Sequence, residues 1–319
     1  MTERLFAALA TDPSETVSVG ANLPADPIGD DDLQLALYVA NELHYAGIEG
    51  VDERWEWAPG LMHFRWVLEE AFLESVHGLL PAAAPEELAS VGHALRSLVL
   101  EDNGPPLSRY MELEGTLEQM LEQIVHRSAY QLKEADPHSF TIPRLTGPAK
   151  VAMLEIQYDE YGSGRLDRMH AVLFADTMRA LGLDPRYGVY LDRLPGITLG
   201  AVNLMTLFAL HRRFRAALVG HLAVFEMMSS VPNRRYGNAL RRLGFDTSVT
   251  TFYDEHVEAD SVHEEIAAWD LAGGLCAAEP ELVSDVLFGA RALLAVEGRW
   301  AGHLLGCWRD GHSSLLEPL

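Results

Sequence analysis

Thiols and basic side chains are both scarce in this chain. Of 319 residues only Cys276 and Cys307 are cysteine. Two are too few for a disulfide framework, and a reducing cytoplasm fits. Lysine and arginine number 24 against 47 aspartates and glutamates, a formal charge of −23. That balance argues against nucleic acid and anionic membranes as partners, since both need a basic face. The start Met1-Thr-Glu-Arg lacks a basic segment followed by an apolar core, so no signal peptide is expected. The longest greasy run, 197–230, is interrupted by His211-Arg-Arg-Phe-Arg215 and reads as a buried helix rather than a membrane span. No run alternates with period two, no Gly-rich strand–turn–helix unit occurs, and no internal repeat is visible.

What is present is helix. Apolar residues make up 48% of the chain, enough for a sizeable core. A short N-terminal helix and a loop are expected over 1–30, then helices over 33–46, 62–79 and 85–98. Gly50 to Leu61, with Trp55 and Trp57, reads as a turn-rich link. A strong helix over 115–135 carries Leu117, Met120, Leu121, Ile124 and Val125 as its apolar stripe and is stopped by Asp136-Pro137. Helices follow over 147–161, 166–181, 198–230, 232–243, 247–272 and 280–309. The expected fold is all-α: one compact bundle over 111–319, with 1–110 as an N-terminal helical extension packed on it.

The stretch 225–263 concentrates the chemistry. His256, Asp260 and His263 stand at i, i+4 and i+7, within about 60° of one another on one helix face. Their neighbours Phe252, Tyr253, Ala259, Ile266 and Ala267 mark that face as the buried one. Asp254, Glu258, Ser261 and Glu265 form the outward stripe. A buried carboxylate between two histidines needs partners; a metal ion satisfies all three, and an ion-paired core triad is the alternative. Glu226 is the only acidic residue between Asp192 and Asp246, and its surroundings are apolar on all sides. It too can be a ligand, or it can be neutralised by His221 or an arginine. Upstream, Glu134 follows His126 and Tyr130. Glu160 precedes the break Gly162-Ser-Gly164, and His170 lies beyond it, so two residues ten apart can face one centre. Asp159 and Glu155 compete with Glu160 for that role. Together these are four carboxylates and three histidines. An oxygen- and nitrogen-rich set without thiolate suits iron or manganese rather than structural zinc, and its size suits two ions.

At these residues the chain resembles the haem-oxygenase-like di-iron oxidases, also described as iron-containing redox enzymes. The resemblance covers about Thr116 to Gly311. It rests on a Glu, then a Glu and a His ten apart, then a Glu, then His-x3-Asp-x2-His about thirty later, and on the contexts Lys133-Glu-Ala-Asp-Pro-His138 and Asp159-Glu-Tyr-Gly-Ser-Gly164. The resemblance implies a seven-helix haem-oxygenase-like bundle. It implies Glu134, Glu160, His170, Glu226, His256, Asp260 and His263 as ligands to two iron ions (Fe2+/Fe3+), or to manganese, with O2 as co-substrate. It also implies a non-haem di-iron oxygenase or oxidase working through a peroxo-diferric species, by N-oxygenation, desaturation or oxidative C–C cleavage. The helix with His256, Asp260 and His263 is expected to be the more mobile half of the site.

The expected partners are a small-molecule substrate held beside Phe225, Met227 and Met228, an external electron donor and a second copy of the chain in a homodimer. Arg212, Arg213 and Arg215 can bind a substrate carboxylate or form a solvated face. The alternative to an enzyme is a non-catalytic helical protein that binds metal or a partner. Haem oxygenase needs a proximal histidine near its N-terminus and has no use for seven metal-type ligands, and Cys276 and Cys307 lie in helical contexts unsuited to a thiaminase-type nucleophile.

Overall fold

The computed structural model describes residues 1–13, 23–80 and 90–319, apart from the side chains of Asp260 and Ser261. Among the described residues every regular element is helical. In order they are α1 (Thr2–Leu9), α2 (Asp31–Glu42), α3 (Pro59–Leu79), α4 (Val91–Glu101), α5 (Leu107–Leu113), α6 (Leu117–Gln131), α7 (Asp136–Ser139), α8 (Gly147–Glu160), α9 (His170–Ala180), α10 (Gly196–Leu210), α11 (Arg215–Arg242), α12 (Thr247–Glu265), α13 (Gly274–Ala278) and α14 (Val283–Arg309).

The starts follow capping chemistry. Asp30 accepts the backbone N–H of Leu33 to open α2. Thr116 and Gln119 form a reciprocal capping box on α6, which satisfies two orphan donors at once. Ser90 caps α4; the expected start at Pro85 lies outside the described residues.

α11 is the axis of the bundle, packed between α12 and α14. Its contact with α14 is backbone on backbone. A Cβ built on Gly220 would lie 1.8 Å from the Val286 carbonyl oxygen, and one on Gly289 would lie 1.8 Å from that of Ala217. Only a glycine at each of these two contact points allows this approach. The segment Arg212–Arg242 is long and apolar enough to cross a membrane by length and composition, but 56% of its apolar window is buried in the protein. It is a core helix.

Three boundaries differ from the expectation. The run 198–230 is two helices, because the chain turns at His211. The Arg144 guanidinium closes the α10 end by donating to the carbonyls of Ala209 and Leu210. Pro232 does not separate two helices but sits inside α11; its missing N–H costs one bond, that of the Met228 carbonyl. After α12 the helix widens into a π-helical stretch, Ile266–Gly273, which turns Ala267, Ala268, Leu271 and Ala272 inward.

The core crosses the boundary expected near residue 110. Leu33, Leu37, Phe64 and Phe72 share one apolar cluster with Met120, Phe208, Ala217 and Trp300. A second cluster lies under α4, α8 and the π-helical stretch.

Candidate metal centre

Six of the seven expected ligand residues converge, each from a different local device. Glu134 lies just past the end of α6, in a turn where the Lys133 N–H donates to the Tyr130 carbonyl. The helix expected to 135 stops at Gln131, and Pro137 opens the short α7 instead of merely ending its predecessor. Glu160 is the last residue of α8 and His170 the first of α9. Gly162 joins them at a φ of 72°, and a Cβ there would lie 2.5 Å from the Met169 nitrogen, so the tight return needs glycine. Glu226 projects from the middle of α11, and His256 and His263 stand two turns apart on α12. All six are buried. Asp260 lies on α12 between the two histidines, and its side chain is outside the described residues.

The six form two groups that share one carboxylate: Glu134, Glu160, His170 and His256 on one side, and Glu160, Glu226 and His263 on the other. In each group the candidate donor atoms lie within 4.8 Å of one another. Glu160 turns one oxygen to each group. Its Oε2 is 2.8 Å from His170 Nδ1, and its Oε1 is 3.7 Å from His263 Nδ1. Glu134 Oε1 lies 3.2 Å from His256 Nε2, and Glu226 Oε2 lies 3.4 Å from His263 Nδ1. Among the rivals of Glu160, Asp159 is half-exposed and its Oδ2 meets His263 Nε2 at 3.3 Å; Glu155 is exposed.

The surroundings fix how the imidazoles face the centre. His256 Nδ1 donates to the Phe252 carbonyl at 2.8 Å, which leaves Nε2 turned to the cluster. His263 is held the other way round, with Nε2 on Asp159 and Nδ1 inward. Such outer partners set the tautomer of a metal-binding histidine. With its nitrogen toward the carboxylate, the Gln131 amide donates to Glu134.

The electrostatics are those of a cluster short of positive charge. Burial pushes the Glu160 carboxyl up, but His170, His256 and His263 outweigh it and hold it at about 2. Burial raises Glu226, and its bond to His263 only partly offsets this. Burial lowers His263, yet Glu226, Glu160 and Asp159 bring it up to about 9. Burial also lowers His170, and Glu160 more than reverses it.

These residues fit a pair of metal ions. His170 Nδ1 and His263 Nδ1 are buried without a well-directed hydrogen bond, although each lies beside a carboxylate oxygen. Three buried carboxylates need more positive charge than the imidazoles carry, and an oxygen–nitrogen donor set suits iron or manganese.

A cavity of about 480 Å³ opens on the cluster. Phe225, Met227 and Met228 line it with Glu134, Glu160, Glu226 and His256, on the side the sequence indicated. Arg212, Arg213 and Arg215 do not line it. Arg213 pairs with Glu70 and Arg215 with Glu279. The arginines in the cavity wall are Arg127 and Arg235. Arg127 grips Glu297 through two bonds of 2.9 and 2.6 Å and lies 3.8 Å over the Trp300 ring. Arg127 lies on α6, seven residues before Glu134, and both line the cavity. The alternative of Glu226 neutralised by His221 does not occur; His221 faces His138 at 3.3 Å instead. His126 is likewise turned away, bonded to Thr198 and Ser314.

Comparison with known proteins agrees with this geometry. A family described as iron-containing redox enzymes matches residues 121–298, a span that holds all the ligand candidates. The nitrosourea synthase of Streptomyces achromogenes subsp. streptozoticus is 29% identical over 136 residues, 43% of this chain and 29% of that enzyme; the chain therefore matches less than a third of that relative's length. The matched span covers more than half of the chain and contains the buried glutamate–histidine cluster and its cavity, and the chain belongs to the iron-containing redox enzyme family as an oxidoreductase with an all-α, haem-oxygenase-like fold.

Proposed function

We propose that this chain is an O2-activating non-haem di-iron oxidase or oxygenase of a small organic substrate. Glu134, Glu160, His170 and His256 would hold one iron. Glu160, Glu226 and His263, with Asp260, would hold the other. The observation that carries this reading is Glu160, whose two oxygens face two separate buried ligand groups. Iron bound there would supply the electron transfers to O2 that no side chain can supply. Among N-oxygenation, desaturation and C–C cleavage, N-oxygenation is favoured, because the name nitrosourea synthase denotes a product with an N–O bond.

The protein's own part is to hold, orient and exclude. Phe252 and Asp159 keep His256 and His263 in the tautomers that face the centre. Phe225, Met227 and Met228 make the adjoining wall apolar, which keeps competing water from the substrate. Protons held on His170 and His263 in the metal-free protein leave when metal binds. In this reading 111–319 is the catalytic domain and 1–110 packs on it, the reductant is an external donor, the chain works in the cytoplasm, and a homodimer is its assembly.

Anaerobic ferrous titration tests the proposal. About two irons per chain are expected, with transient visible absorption when O2 is added and loss of both effects in His256→Ala. A parallel preparation with manganese decides the metal by elemental analysis and O2 uptake. No iron binding, together with activity unaffected by His256→Ala, would leave a non-catalytic protein as the better description.

A further inference from the structure

The tyrosines of this chain fall into two classes. Those buried or half-buried away from the cavity are hydrogen-bonded. Tyr38 bonds to Tyr187, Tyr45 to Thr206, Tyr110 to Gln119, Tyr161 to Asp136, and Tyr190 accepts the N–H of Asp184. Three line the cavity: Tyr130, Tyr236 and Tyr253. They are 4%, 8% and 2% exposed, and their hydroxyls have no hydrogen-bond partner among the described residues; the Tyr253 hydroxyl is a fully buried orphan. A fully buried hydroxyl without a partner, as in Tyr253, costs about 1–3 kcal/mol, and with two further unbonded phenols in the same wall it marks a place where a ligand completes the bonding.

The rings of Tyr236 and Tyr253 are 6.0 Å apart, and Tyr130 and Arg127 line the same cavity. Burial pushes each phenol up, Tyr236 to about 12, so each stays a neutral donor. Of the acids in the wall, Glu134, Glu160 and Glu226 belong to the candidate centre, Glu297 is held by Arg127, which also covers Trp300, and Asp102 stands at the exposed rim. A second cation would meet the charge of Arg127, whereas an oxygen acceptor meets three hydroxyl donors.

We propose that Tyr130, Tyr236 and Tyr253 form a head-group subsite that holds an oxygen acceptor of the organic substrate, a carboxylate or an amide carbonyl. The apolar remainder lies along Phe225, Met227 and Met228, toward Glu226. This assignment rests on reading the cavity as the substrate site of the proposed iron enzyme. Tyr130 is placed to link the two ends, since it is four residues from Glu134 and its ring meets Phe225 edge-on at 5.4 Å.

The test uses the full chain, loaded with ferrous iron under anaerobic conditions, and three probes of one shape: 4-phenylbutanoate, 4-phenylbutanamide and 4-phenylbutylamine. Affinities come from calorimetry or saturation-transfer NMR. The acid and the amide are expected to bind about tenfold or more tightly than the amine, and their order tells an anionic head from a neutral one. Tyr236→Phe and Tyr253→Phe should each weaken the acid and the amide about threefold to tenfold, the worth of one hydrogen bond. Neither should lower the melting temperature, because no protein bond is lost. Amine binding equal to that of the acid and amide, unchanged affinities in the double variant, or no binding of any probe at millimolar concentration would overturn the subsite. Iron content measured on the same samples separates the two readings. A head-group preference that persists without iron binding removes the di-iron proposal and leaves this one standing.

Discussion

At the scale of single residues, the candidate centre depends on atoms that are turned inward by partners just outside it. Asp159 is the clearest case, since it takes His263 Nε2 and leaves Nδ1 for the cluster. Asp159→Asn should weaken one iron site by about 10–100-fold, the usual cost of losing such a partner, with the other site less affected; a two-step ferrous titration reads this directly. The raised value of His263 also gives a signed pH dependence. A group raised above its unfolded value of 6.5 stabilises the fold fully below that pH. In the metal-free protein this stabilisation should be lost as pH rises from 6.5 through about 9. Over the same range iron affinity should rise, because metal displaces the proton. Melting curves with and without iron across pH 6–9 check both signs. Much at this scale was legible in sequence, because buried acids and histidines are rare enough in apolar helices to stand out. Asp159 and Glu160 could not be ranked, because adjacent residues at a helix end separate only when the turn after them is known. The unbonded hydroxyls of Tyr130, Tyr236 and Tyr253 were not legible at all, since a missing partner is a property of three dimensions.

At the scale of elements, the position of Glu226 is set by the crossing of α11 and α14. Gly220→Ala or Gly289→Ala would drive a methyl into a facing backbone carbonyl and should destabilise by at least about 2–3 kcal/mol, measured by denaturant unfolding. Glu134 is held from its other side. Lys133 is buried against Glu42 of α2 at 3.0 Å, within a cage of Tyr38, Tyr45 and Tyr187. Removing one partner of a buried pair costs about 3–5 kcal/mol, so Glu42→Ala should both destabilise the protein and disturb iron binding at Glu134. That His256 and His263 share the buried face of α12 was readable from their spacing. The break at His211 and the passage of α11 through Pro232 were not, because one is secured by Arg144, 67 positions earlier in the chain, and the other needs only one carbonyl left without its helical partner.

At the scale of the molecule, the all-α class followed from composition and period, and the extension expected over 1–110 shares its apolar cluster with the bundle it was expected to pack on. The main apolar cluster runs without interruption from α2 and α3 into α6, α10, α11 and α14. Residues 111–319 made alone should therefore lack fixed tertiary packing, which near-UV circular dichroism would reveal as loss of the aromatic signal. The account's central claim is that one carboxylate, Glu160, serves two irons. The most direct measurement is electron paramagnetic resonance, with Mössbauer spectroscopy, of the iron-57-loaded protein after oxidation. A shared Glu160 predicts two coupled ferric ions, an EPR-silent pair whose Mössbauer doublets (one for each of the two unlike sites) show no magnetic splitting at low temperature, and loss of that coupling in Glu160→Ala. A full-intensity signal from isolated high-spin ferric ions in the unsubstituted protein would contradict it.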